Sequence, residues 1–584
     1  MNRPLLAAFA LCAGSLVGCS KDAPGIARTP ELSCGGPMAY GQWGQDPAHS
    51  STTCNRGQAL SKILADVVYD PFVAQEEAEA HGDLLAHYQA PLVSGDEVVM
   101  SAKWGAYISC SSPGSGAANC GPNAWNSQTW GVQKYQWTSG VLTKTWNYES
   151  DYKPVPNGSG LGGWEPVFHA ALTADSVWVP GAGGSVYQLN RATGAVAKHH
   201  TPFGATDLNK YVSGPLAVDA QGRVLYNAVQ MDPTGPWNKD VPGAWLVRVD
   251  PAGTSAIVPF SALTSGAPAG GDLCNGSFAT PGNNQPALPP VDTNGQPTKP
   301  AQLPCGSQRP GINVAPSVGA DGTIFTASRA HFNSRYSYVV AVSSDFTPKW
   351  SASLRDRLND GCGVLVANDG TPGNCASYAR HGIDPFTNEA PAGRITDSGT
   401  ASPVALPDGA VLFGANTTYN AFRGHLFKFG ADGGFLGTYD FGWDITPAFF
   451  PHGGTYSIVI KDNHYGNGPY QITQLDASLK PEWKFTATNT QSCVRAADGS
   501  VSCQQFSENS NGFEWCVNAP IVDVDGTVYA NSEDGYVYAI AQGGTLKQKI
   551  FLQTALGAAY TPMSIDGAGR IFTQNSGHLF VVGQ

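Results

Sequence analysis

From about residue 90 to the C-terminus, apolar positions fall in short runs of β-branched and aromatic residues, each closed by a turn built on Gly, Asp-Gly or Gly-Gly. The stretch 511–548 shows the pattern most plainly. Runs beginning at Ile521, Thr527, Tyr536 and Gln548 follow one another with polar turns between them. Short runs of this composition, punctuated this way, predict antiparallel hairpins, whereas a helix would need apolar residues spaced three and four apart. One such four-stranded unit cannot bury its own faces, so the chain must supply copies.

The copies are present. A small residue, a proline and an apolar run recur at Pro91, Pro166, Pro215, Pro316, Pro403, Pro447, Pro520 and Pro562. Second runs follow at Val224, Ile324, Val411 and Ile571, and third runs at Val186, Leu246 and Leu426. Eight four-stranded units at irregular spacing predict an all-β fold, an eight-bladed β-propeller of antiparallel blades. The last unit has only three runs before Gln584, which would leave an open edge. The apolar run 62–69 is therefore expected to supply the missing strand and close the ring. The resulting division is 1–19 signal, 20–60 spacer and lead-in, and 61–584 propeller.

Several third-to-fourth runs, at 184–198, 475–483 and 535–548, read close to Gly-x-Val-Tyr-Ala-Leu-Asp, then Thr-Gly, then Trp. In this they resemble the PQQ-like β-propeller repeat, over roughly residues 60 to 584. The repeat occurs in quinoprotein dehydrogenases and in non-enzymatic envelope propellers of the outer-membrane assembly type. The resemblance therefore implies the fold and leaves the activity open. Two departures weigh against quinone binding. The chain has no Cys-Cys pair, and Lys198 and Gln548 stand where the repeat carries tryptophan, which survives at Trp146, Trp350 and Trp483.

Residues 1–19 have the form of an export signal: Arg3, the apolar segment 5–17, and Leu16-Val-Gly-Cys19, which resembles a bacterial lipobox. The apolar run is too short to span a bilayer. The resemblance implies acylation of Cys19, and Ser20 after it favours the outer membrane. The chain is then expected in the cell envelope, held to the membrane by its lipid alone. Gly (70) and Pro (42) are abundant and charged residues make up only 13%, as suits a turn-rich exported protein. A net charge of −12 argues against nucleic acid as a partner.

Thirteen cysteines point to an oxidising compartment. Local spacing allows Cys34–Cys54, Cys110–Cys120, Cys274–Cys305, Cys362–Cys375 and Cys493–Cys503, with Cys503–Cys516 equally allowed. No C-x-x-C is present, which excludes zinc ribbons and covalently attached haem.

Loop lengths carry the functional signal. The turns joining strands one to two and three to four are tight, as at Gln221-Gly, Asp321-Gly, Asp408-Gly and Asp525-Gly. The opposite face collects the long insertions, both strand two-to-three loops (103–130, 231–242, 331–336) and crossovers (261–311, 356–398, 489–517). Long loops braced by disulfides on one face of a rigid ring are where binding is expected. Aromatics there, among them Trp125, Trp237 and Trp515, suit sugars or extended peptides. At the channel mouth on this face Trp164, Glu165, Asn313, Trp443, Asp444 and Asn518 are expected to converge, an oxygen-rich set able to hold a polar ligand or calcium. No resident metal and no catalytic residue is expected.

The expectation is a non-enzymatic, lipid-anchored propeller that binds an envelope protein or a polysaccharide with its long-loop face. Two alternatives remain: a PQQ- and Ca²⁺-dependent dehydrogenase of alcohols or sugars, with PQQ and Ca²⁺ as cofactors, and a cell-surface carbohydrate-binding protein.

Overall fold

Blade one is built from Leu92–Ser94, Glu97–Trp104, Thr129–Thr138 and Val141–Ser150, each antiparallel to the next. Six further blades follow at 171–200, 210–259, 308–353, 404–442, 448–486 and 521–551, four-stranded except that the inner strand of 210–259 and of 308–353 is split in two. The eighth holds Ser564–Ile565, Ile571–Asn575, His578–Gly583 and, as its outer strand, Lys62–Val68, which pairs from Lys62↔Gly583 to Val68↔His578. The ring thus closes as the three-run last unit requires. This computed structural model describes residues 34–75, 89–107, 128–156, 167–278, 290–358, 387–417, 423–554 and 562–584, apart from positions 37, 106, 356, 390–391, 444, 465–467, 497, 507–509 and 516–518.

Burial follows from the ring. Middle strands are covered by neighbouring blades on both sides, so Ile324–Ala330 and Ser337–Val342 are buried throughout. Outer strands alternate toward solvent, as in Pro481–Thr486. The repeat tryptophans sit on these outer strands and lock blade to blade. Trp350 lies against Gly433, where a Cβ would come within 2.7 Å of the indole, and its Nε1 donates to Ala431 O at 2.8 Å. Trp146 meets Gly194 in the same way and bonds Arg191 O at 3.1 Å. Lys198 replaces the indole at one seam by donating its Nζ to Ala252 O at 2.7 Å.

The lead-in takes part in the ring. Between residues 40 and 58 it visits every blade in order. Tyr40 pairs with Val93 in both directions, at 2.8 and 2.9 Å. Gly41 O accepts from Leu172 N, Gln42 bonds Val218, Pro47 O accepts from Val318 N and Ala48 O from Ala405 N. Ser50 O accepts from Phe449 N, Ser51 O from Val522 N, and Asn55 Nδ2 donates to Ile565 O. These blade residues lie at or near the ends of the inner strands, beside the one-to-two turns. An inner strand is a sheet edge whose backbone groups face the channel, and the lead-in supplies their missing partners. Trp43, His49, Ser51 and Thr52 are consequently fully buried.

Two crossovers carry hairpins of their own. Leu273–Asn275 pairs with Gln302–Pro304 beside the Cys274–Cys305 disulfide, and Gln491–Arg495 pairs with Val501–Gln505 across Cys493–Cys503. A third disulfide, Cys34–Cys54, pins the start of the lead-in. Of the alternatives for Cys503, the pairing with Cys493 is the one formed. Cys19, Cys110, Cys120, Cys362, Cys375 and Cys516 lie outside the described residues.

Candidate functional site

The two faces differ in how their loops are built. On one, aspartates fold the one-to-two turns onto themselves. Asp219 Oδ1 accepts from Gln221 N and Arg223 N, and Asp523 and Asp566 do the same in their blades. The lead-in lies against these turns: Gly57 N donates to Asp523 Oδ2, Gln58 N donates to Gly569 O, and Arg56 pairs with Asp525. The channel is therefore covered from the tight-turn side. The opposite face presents the hairpin insertions and the loops 231–242 and 331–336.

Between blades three, four and five that second face holds a pocket of ≈ 350 Å³. Its lining includes Trp237, Arg309, Arg329, His331, Phe332, Arg394 and Asp397. Its chemistry starts from strand register. Arg309 in Gln308–Pro310 is the direct cross-strand partner of Arg329 in Ile324–Ala330. Like charges in that position repel, and Asp397, from the crossover to blade five, lies between them. Arg309 Nη1 and Nη2 donate to its two oxygens at 2.7 Å each, and Arg329 Nη1 donates to Oδ2 at 2.9 Å. Burial opposes the charge on Asp397, but Arg309 and Arg329 outweigh it and hold the carboxyl down at about 2. Burial lowers Arg329 to about 10, so it stays charged at neutral pH.

Arg309 Nε donates to His331 Nδ1 at 2.8 Å, which places the ring proton on Nε2. Burial first, then Arg309 and Arg329, push His331 down to about 3, and the ring is neutral under physiological conditions. Trp237 stacks on His331 at 6.1 Å between ring centres, and the Arg309 guanidinium lies 5.7 Å from the indole centre. Arg394 Nε bonds Ser334 Oγ at 2.8 Å. Three guanidiniums and one carboxylate thus line the pocket, with two aromatic rings, Trp237 and the 38% exposed Phe332, on its wall.

The expected site residues divide. Trp237 lines this pocket, while Asn313 stands next to it, fully buried. Its Oδ1 accepts from Val167 N at 3.2 Å and its Nδ2 donates to Asp397 O at 3.1 Å, so the amide ties three blades together. Trp515 is not on the pocket wall. It is fully buried and packs edge-on against Tyr538 and Phe485, because the adjoining crossover folds back over blades six and seven. Trp443 is half-buried at φ 60°, a left-handed conformation uncommon for a bulky side chain. Trp125, Trp164, Glu165, Asp444 and Asn518 lie outside the described residues. Among the described residues no three His, Cys, Asp or Glu side chains gather as a metal site.

Arg309, Arg329, Arg394 and Asp397 were not foreseen from the sequence. Arg329 carried a signal, since it is the one charged residue within the run 324–330. Among the described residues no helix is long and apolar enough to cross a membrane.

The architecture is that of an eight-bladed propeller whose channel is covered by its own lead-in. Among solved structures the chain is similar to BamB from Moraxella catarrhalis, at 9% identity and TM-score 0.39 over 90% of this chain and 99% of that one. It is also similar to quinohemoprotein alcohol dehydrogenase from Comamonas testosteroni, at 11% identity and TM-score 0.46 over 94% and 81%. A third is Sqt1 from Saccharomyces cerevisiae, at 10% identity and TM-score 0.40 over 90% and 99%. At these identities the likeness is one of fold. No family model and no curated protein matches the chain.

Proposed function

We propose that the chain is an exported, lipid-anchored propeller of the cell envelope that binds a partner protein or polysaccharide through its long-loop face and performs no catalysis. One observation carries this reading: the lead-in lies along the tight-turn side of the ring, and the long crossovers and two-to-three loops belong to the opposite side. Exposed Cys34 is fixed by its disulfide to Cys54, next to the lead-in's contacts with blades seven and eight. The described start of the lead-in, at Cys34, therefore lies on the tight-turn side. A lipid on Cys19 would tether that side, and the long-loop face would look away from the bilayer.

Site-specific photo-crosslinking in intact cells tests the reading. Probes at Phe332 and Tyr107 on the long-loop face are expected to capture a defined adduct, and probes at Gln221 and Asp525 on the other face none. The reverse pattern would reject the proposal. Cys19→Ser is expected to release the chain from the membrane fraction, and its retention there would remove the anchor.

A further inference from the structure

In the pocket between blades three, four and five, two buried guanidiniums share one carboxylate. Arg309 and Asp397 form a complete two-bond pair with almost no exposure of either side chain. Arg329 is then a second buried cation leaning on the same carboxylate. A purely structural brace would match charges, because an excess buried cation is costly to desolvate. Arg329 also keeps donors in reserve. Of its five N–H groups, one bonds Ala330 O, one Asp397 and one His331 O, which leaves one on each terminal nitrogen. That pair, on a planar guanidinium, matches the two oxygens of a carboxylate.

The wall narrows the choice. Trp237 and His331 lie nearly parallel, 12° apart, and Phe332 stands beside His331 at 4.8 Å. The neutral imidazole adds no charge to this flat apolar side. A small cavity with an anion-seeking corner and an aromatic wall fits a group that is charged at one end and planar at the other.

We propose that this pocket binds a carboxylate joined to a planar apolar group, with Arg329 meeting the carboxylate and Trp237 and Phe332 flanking the plane. The proposal rests on the long-loop face being the binding face. Two sources supply that chemistry, a free aromatic acid and a chain ending in an aromatic residue with its terminal carboxylate.

Titration calorimetry on the full-length protein at neutral pH and low salt separates the possibilities. The probes are benzoate and 3-phenylpropionate with benzyl alcohol as neutral control, and short peptides ending in Phe with a free or an amidated C-terminus. The acids are expected to bind saturably and the neutral controls at least tenfold more weakly. Tighter binding by the free-carboxylate peptide points to a chain terminus, and tighter binding by the small acids to a metabolite. Arg329→Gln is expected to lower acid affinity at least tenfold. Because that change removes a buried side chain, the exposed Phe332→Ala serves as a second variant, expected to weaken benzoate several-fold while leaving the melting temperature in place. Equal binding of acids and neutral controls, or binding by neither, overturns the proposal. If the acids fail while crosslinks from Phe332 persist, the pocket's role is rejected and the face retained; if both fail, the face itself is rejected.

Discussion

The two ends of the channel use polar residues in opposite ways. On the tight-turn side, Gln42, His49, Ser50, Ser51 and Asn55 are buried, and the bonds they and their backbone make go to the inner strands and the segments beside them. On the long-loop side, Arg309 and Arg329 are brought together around one carboxylate, with two N–H groups of Arg329 left over. The first set spends its bonds on the ring's own backbone, whereas the second gathers two cations on one carboxylate. Bonds to backbone mark a structural joint, and surplus charge marks a place prepared for something else.

This contrast can be tested from its largest consequence down. Trp43 is fully buried in the lead-in, so Trp43→Ala should cost about 3–5 kcal/mol in urea unfolding. A loss below about 1 kcal/mol would mean the lead-in is not part of the fold. Asp397→Asn would leave two facing guanidiniums buried without their carboxylate and should cost about 3 kcal/mol, partly recovered by added benzoate. No loss, or no recovery, would show that the pocket does not depend on an anion.

Acid should act through the lead-in as well. Burial pushes His49 down to about 4, with its bond to Pro403 O opposing. A folded-state value below the ordinary 6.5 means that stability is fully present above pH 6.5 and is lost as pH falls toward 4. The contribution is about 2 kcal/mol by pH 5. His49→Asn should flatten the melting temperature over that window; an unchanged slope would place the titration elsewhere, His169 being the next candidate, pushed down to about 3 by burial. Smaller still, Phe332→Ala should shift stability by no more than about 0.5 kcal/mol, since the ring is exposed. Last, addition of PQQ and Ca²⁺ should produce neither a saturable absorbance change nor dye-coupled alcohol oxidation, and turnover would replace the proposed function with the dehydrogenase reading.

The blades were legible because hairpin chemistry is local: the Asp-Gly turns and the strand runs lie within a few residues of their cause, and the closing strand at 62–69 followed from the last unit having only three runs. The lead-in was not. Its Gly, Gln, Ser and Asn residues read as a solvated loop, and only the inner strands, hundreds of residues away, turn them into buried partners. The pocket was hidden for the same reason. Arg309 and Asp397 are 88 positions apart and meet only because a crossover returns to the blade it left. Trp515 is the opposite case, since an aromatic in a long insertion looks surface-exposed in the sequence and is buried where the insertion folds back.

The lead-in also sets the order of assembly. Residues 40–58 are made first, yet Asn55 finds its partner only at Ile565 and Lys62 its partner only at Gly583. A nascent chain therefore gains lead-in contacts blade by blade, but Asn55 and the strand 62–68 stay without their partners until the last blade emerges. Long-range closure of this kind favours slow, all-or-none completion. A chain cut short anywhere in the last blade would lack the strand partner for Lys62–Val68, and the unclosed ring would expose it to proteases, so that only full-length copies endure.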